Sequence, residues 1–276
     1  MQMLYQEKII TSGRYTEIDI YPVIPPQRRR GRKARPSTEV QKKLNKRYAE
    51  KRIGYLVNAN FTEEDIRLDL TYDKNHLPES PEDAQHQCQL FLRRLISFRR
   101  KKGLSELKYI YVTEVGEKSG RVHHHIVLSG GVLIKDLARL WGKGYTTVKP
   151  LQFDMEYGCT ALAEYMVKKP VLKRRWNCSK NLEQPEVRVR TGRISRRKAF
   201  EWLTAGMDAR NEIEKRYGLK LADIKPLFND VNRAAYVALS MYDPQTRRRE
   251  QKGETNGQKA PKGRRAANLL RHKAGN

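Results

Sequence analysis

His123 and His125 stand one residue apart in the apolar run Arg121-Val122-His123-His124-His125-Ile126-Val127-Leu128. Side chains of a β-strand alternate between faces, so both imidazoles project to the same side. Glu114 precedes a turn-like Gly116–Gly120 stretch. In a hairpin it comes opposite the first part of the histidine strand. Two nitrogens and one carboxylate oxygen suit a borderline divalent ion such as Mn²⁺ and tolerate Mg²⁺. A structural zinc site would bring more cysteine. His124 points to the opposite face and reads as a hydrogen-bonded core or interface histidine.

A second reactive pair lies downstream in Ala163-Glu164-Tyr165-Met166-Val167-Lys168-Lys169. Tyr165 and Lys168 are three residues apart and share a helix face. An ordinary tyrosine hydroxyl titrates near 10, so it attacks only with help. A nearby lysine cation supplies such help, or neutralises charge on a phosphate. Lys169 is an alternative, since the i,i+4 offset also faces Tyr165. Tyr157 is a weaker competitor as nucleophile. With a metal beside it, an activated tyrosine can attack phosphorus and keep the bond energy in a tyrosyl phosphate.

The elements that must position these groups follow from pattern. Alternation predicts strands over 66–72, 108–115, 121–128 and 144–149. Helices are expected over 82–102, with Cys88, Phe91, Leu92, Leu95 and Phe98 as its stripe, and over 132–140 and 157–169. The central strand–strand step favours an antiparallel sheet flanked by helices, an α+β fold. A weak strand is expected near 17–21 and a basic helix over 37–52. Between them, Pro25, Pro26 and Pro36 alternate with Arg28, Arg29 and Arg30. The expected organisation is a basic N-terminal extension over 1–52, a nuclease domain over 53–170, a small, mostly helical lobe over 171–244 and a basic disordered tail over 245–276. In that lobe, 187–190 is strand-like, 195–207 is helical, and helix is expected again over 208–217 and 230–241.

Composition bounds the partner. The 276 residues carry 57 Lys+Arg against 31 Asp+Glu, a formal net charge of +26. That excess points to a polyanion, without separating DNA from RNA. Twelve Lys/Arg fall between Arg28 and Arg52 and ten between 245 and 276. They fit backbone contact, which adds affinity but little sequence choice. Tyr72 and Trp176 are candidates for base stacking, and Arg121 and Lys169 for phosphate contact. Three widely spaced cysteines argue against a disulfide framework and for a reducing compartment. No signal peptide is expected at the N-terminus, nor any apolar run of membrane-spanning length.

These motifs resemble those of the HUH endonucleases, and among them the rolling-circle replication initiators of small phages and plasmids, closest to the filamentous-phage gene II and phage replication-associated group. Leu70-Thr71-Tyr72 is similar to the first motif. Gly120 to His125 is similar to the histidine motif, with His124 where a bulky apolar residue is usual. Ala163 to Lys169 is similar to the third. Trp176 to Leu182, followed by Pro185, resembles a stretch after the tyrosine in phage-type members. The resemblance implies a five-stranded antiparallel sheet with the histidines central, and Glu114 as the acidic ligand. It implies nicking and rejoining of single-stranded origin DNA, often at a hairpin, through a 5′-phosphotyrosine at Tyr165, leaving a free 3′ hydroxyl. One tyrosine with a lysine partner implies a single-tyrosine enzyme, read as a monomer in the cytoplasm of a bacterial host. With no Gly-x-x-x-x-Gly-Lys-Ser/Thr loop, unwinding falls to a host helicase and replication machinery. The competing readings are a single-tyrosine transposase of the same superfamily and a non-catalytic DNA-binding protein on the same fold.

Overall fold

The computed structural model describes residues 3–23, 39–116, 120–166, 175–230 and 233–245. Two antiparallel five-stranded sheets organise them. The first is built from β3 (Ile66–Thr71), β4 (Tyr109–Val115), β5 (Val122–Leu128), β6 (Thr146–Pro150) and β7 (Asn177–Cys178), in the order β6-β3-β5-β4-β7. The second is built from β1 (Tyr5–Ser12), β2 (Tyr15–Pro22), β8 (Glu186–Thr191), β9 (Lys220–Asn229) and β10 (Ala234–Tyr242), in the order β8-β1-β2-β10-β9.

Alternation along β3 and β5 divides the first sheet into two differently covered faces. Leu68, Leu70, Tyr72, His124, Ile126 and Leu128 face α2 (Pro81–Lys101) and α3 (Ile134–Trp141). Ser80 caps α2, its hydroxyl accepting from the Asp83 N–H at 3.1 Å, and Pro81 starts the first turn. The buried stripe of α2 includes Cys88, Phe91, Leu92 and Leu95. Phe98, expected on that stripe, is only half-buried, and Arg99 is buried instead. Its guanidinium donates to the carbonyls of Ser105 and Gly130 at 3.0 and 2.6 Å. Those bonds explain how a charged group is accommodated there.

The opposite face is half apolar and half polar. Ile110, Val112 and Val127 pack beneath α1 (Glu39–Asn60) and α4 (Thr160–Met166). The polar half carries the groups described below. The basic helix expected to end at Arg52 runs on to Asn60. Ile53, Leu56 and Val57 recur at helical spacing and are at most 1% exposed. The expected boundary at Ile53 therefore falls inside a helix.

The second sheet corrects the mostly helical reading of 171–244. That stretch holds α5 (Arg196–Ala205), a 3-10 turn (Gly206–Ala209) and α6 (Arg210–Tyr217), but also β8, β9 and β10. The helix expected over 230–241 is replaced largely by β10, where Ala235, Val237, Leu239 and Met241 alternate inward against α5 and α6. Ala, Leu and Met favour helix intrinsically, and the two-residue burial period overrides that preference. The residues read as an N-terminal extension supply β1 and β2, which lie between β8 and β10. The two chain regions treated as separate thus share one sheet. The expected basic tail, beyond Gln245, lies outside the described residues.

Candidate metal centre and nucleophile

The hairpin of β4 and β5 sets Glu114 directly opposite His123, and Val112 opposite His125. On the other side, β3 sets Asp69 opposite His125 and Thr71 opposite His123. The polar half-face therefore collects its groups from three adjacent strands. Ligand atoms of Glu114, His123 and His125 all lie within 4.8 Å of one another. His125 Nε2 is 3.6 Å, and His123 Nε2 3.8 Å, from Glu114 Oε2. Glu114 and His125 are buried, while His123 is half-buried.

The remaining imidazole nitrogens orient the pair. His125 Nδ1 lies 2.6 Å from Asp69 Oδ1. His123 Nδ1 lies 3.3 Å from the carbonyl oxygen of Arg121. A carbonyl or ionised carboxylate only accepts, so each Nδ1 carries the proton and each Nε2 presents its lone pair. This is the arrangement that metal-binding histidines require. Two imidazole nitrogens and one carboxylate oxygen converge, and the group could hold a divalent ion. Burial raises the Asp69 pKa, but hydrogen bonds from His125 and Arg67 outweigh it and bring it down to about 2. Asp69 is therefore an anion at any working pH.

Arg67, two residues earlier on the same face, grips Asp69. Its Nε and Nη2 donate to Asp69 Oδ2 at 3.2 and 2.6 Å. The same guanidinium lies over the ring of Tyr165, 4.5 Å from the centroid. Tyr165 reaches this place from α4. Its ring meets that of His125 edge-on at 4.9 Å, and the side chain is 42% exposed. A continuous chain of contacts therefore runs Tyr165–Arg67–Asp69–His125.

The start of α4 is tied to α1 by Asn58. Its Oδ1 accepts from the Cys159 N–H at 2.9 Å. Gly158 makes this possible, with φ at +62° and room for no Cβ, which would sit 2.5 Å from that oxygen. Further along, Gly54 of α1 lets Ala163 approach. Tyr165 is thus aimed by packing two turns long.

His124 faces away from the centre, as alternation predicts. It is fully buried, with Tyr72 Oη 2.8 Å from Nε2 and Thr113 Oγ1 3.0 Å from Nδ1. Burial, with smaller contributions from His123 and His125, pushes its pKa down to about 3. Tyr72 is corrected as a stacking residue. It is 3% exposed, and its hydroxyl is engaged by His124 behind the sheet. Tyr157 lies in the turn before α4, not on the helix, and its hydroxyl donates to the Ala222 carbonyl at 3.3 Å. Arg121 is exposed at the start of β5, and Trp176 is half-buried against the α1–α4 core. Lys168, Lys169, Arg28, Arg29 and Arg30 lie outside the described residues. Asp69 and Arg67 are the groups that sequence reading missed. Their signal is present as charged residues on the histidine-side parity of an otherwise apolar strand.

Comparison with known proteins covers this same region. Residues 65–170 match the family model of the replication-associated protein ORF2/gene II protein. A replication-associated protein ORF4 of Chlamydia phage 1 is 32% identical over 97 residues, which span 34% of this chain and 24% of that protein. The chain therefore aligns with about a quarter of that relative's length. No solved structure matches. The family match contains β3, β4, β5 and α4, and with them every described group of the centre. No helix among the described residues is long and apolar enough to cross a membrane.

Proposed function

We propose that this protein initiates replication of a phage or plasmid genome by nicking single-stranded DNA through Tyr165. The observation that carries the reading is the Tyr165 ring resting on His125 of the Glu114/His123/His125 group. The family match and the phage relative, both described as replication-associated, support the biological setting.

Glu114, His123 and His125 would hold a divalent ion, Mn²⁺ or Mg²⁺, whose contribution when bound is to polarise the scissile phosphate. The Tyr165 hydroxyl gives up its proton and its oxygen attacks phosphorus. A tyrosine–phosphorus bond forms as the bond to the 3′ oxygen breaks. The leaving oxygen takes a proton and becomes a free 3′ hydroxyl, a primer terminus. The 5′ end stays on Tyr165. Because one phosphoester replaces another, a 3′ hydroxyl can later attack the phosphotyrosine and rejoin the strand. Arg67 holds the ring and offsets negative charge on its oxygen. Asp69 keeps His125 in the ligating tautomer. Lys168, three residues beyond Tyr165, is proposed as a second cation for the same charge.

The test is denaturing electrophoresis of the protein with labelled single-stranded oligonucleotides from its own replicon. Mn²⁺ and EDTA are compared, with Tyr165→Phe alongside. A covalent adduct that needs both the metal and Tyr165 is expected. Tight binding with no cleavage on any origin strand would refute the nuclease and leave a DNA-binding protein.

A further inference from the structure

The second sheet has a face that neither its own helices nor the proposed chemistry uses. Opposite α5 and α6, side chains of β1, β2, β9 and β10 look across a cleft of about 670 Å³ toward α1 and the start of α4. That size falls within the roughly 300–1,000 Å³ of sites that enclose organic ligands. Tyr21, Tyr48, Tyr55, Tyr157 and Tyr236 line it. Tyr48 and Tyr157 are 66% and 41% exposed, so their rings are available. Arg47, Lys51 and Lys225 lie among them and are exposed.

The carboxylates in the cleft discriminate between ligands. Glu17 is already engaged, pairing with Lys51 and accepting from the Tyr55 hydroxyl at 2.5 Å. Asp19 stands on the same face of β2, next to Lys8 of β1 in register. A channel that tracked phosphates alone would not place carboxylates in its floor, because the like charges repel. Carboxylates suit the amino groups on base edges. Aromatic rings suit base faces, and the cations suit the backbone between bases. Glu164, the residue before Tyr165, also lines the cleft, so the cleft reaches the helix that carries the proposed nucleophile.

We infer that this cleft binds single-stranded DNA, stacking bases on Tyr48 and Tyr157, accepting a base amino group at Asp19, and leading the strand to α4. The inference rests on the reading that the protein acts on single-stranded DNA, and extends it to where the strand lies.

The test is fluorescence anisotropy of the full chain with short labelled oligo-dC, oligo-dT and oligo-rC in EDTA, where binding is read without cleavage. Tyr48→Ala and Tyr157→Ala should each weaken oligo-dC binding about fivefold or more. The slope of log affinity against log salt should stay unchanged, since no phosphate contact is lost. Tyr48→Phe keeps the ring and should bind as the parent does. Asp19→Asn should narrow the preference for oligo-dC over oligo-dT, because an amide can also donate to a thymine carbonyl. The proposal is overturned if folded Tyr48→Ala and Tyr157→Ala proteins bind like the parent, or if oligo-rC binds more tightly than oligo-dC. Normal binding through the cleft with no adduct on origin DNA would sink the nuclease reading alone. An adduct with unaltered binding by both tyrosine variants would sink the cleft alone.

Discussion

Acidification should charge His124 in a place that cannot accommodate the charge. The ring is fully buried between Tyr72 and Thr113, and both nitrogens have hydroxyl partners. A neutral imidazole satisfies both, one nitrogen donating and the other accepting. Folding moves its pKa from 6.5 to about 3, chiefly by burial. Between those values the unfolded chain binds a proton that the folded chain does not. The contribution is therefore fully present above 6.5 and is lost as pH falls toward 3. At 1.36 kcal/mol per unit, the loss is about 2 kcal/mol at pH 5 and about 5 kcal/mol as pH approaches 3. The assay is urea unfolding in EDTA at pH 7.5, 6 and 5, for the parent and for His124→Gln. Glutamine keeps a donor and an acceptor but does not titrate. The parent should lose about 2 kcal/mol more than the variant between pH 7.5 and 5. Parallel losses in the two proteins would refute the argument, and show that other groups carry the acid sensitivity.

Three further outcomes follow from named contacts. Asp69→Asn removes the anion that holds His125 Nδ1 at 2.6 Å, and should weaken Mn²⁺ binding roughly 10–100-fold by calorimetry with the fold retained; unchanged affinity would dismiss Asp69 as an orienting group. Arg67→Ala removes the cation over Tyr165 and should slow adduct formation roughly 2–30-fold in single-turnover assays, from a cation–π energy of about 0.5–2 kcal/mol. Gly144→Ala would bring a Cβ to 2.4 Å from the Thr71 carbonyl oxygen at a φ of +152°. It should lower thermal stability by more than the ~1 kcal/mol of ordinary glycine strain, measured by thermal unfolding.

Much of the centre is legible in the sequence because it depends on local period. Alternation suffices to put His123 and His125 on one face and His124 on the other. A short hairpin suffices to bring Glu114 across. Asp69 and Arg67 need more, since Ile66-Arg67-Leu68-Asp69-Leu70 reads as an ordinary half-buried strand. Their role comes from β3 lying beside β5, a pairing between strands more than fifty residues apart. Tyr72 reads as a stacking candidate by residue type, yet its position carries the contrary signal. It shares parity with Leu68 and Leu70, which marks it for the helix-covered face. The second sheet is least legible. β1 and β2 find partners beyond residue 185, and no local window contains that information.

That closure of the two chain regions has a consequence for biosynthesis. The β1–β2 hairpin leaves the ribosome first, yet β8 and β10 follow only after residue 185. At about 5–20 residues per second, some 10–45 s separate completion of β2 from completion of β10. During that interval both edges of the hairpin expose backbone donors and acceptors without their final strands. The first sheet, complete by Cys178, can assemble before the hairpin is covered. An amino-terminal truncation through Pro22 would therefore do more than trim an end. It would remove the two strands that join β8 to β10, and leave the later strands with no sheet to enter.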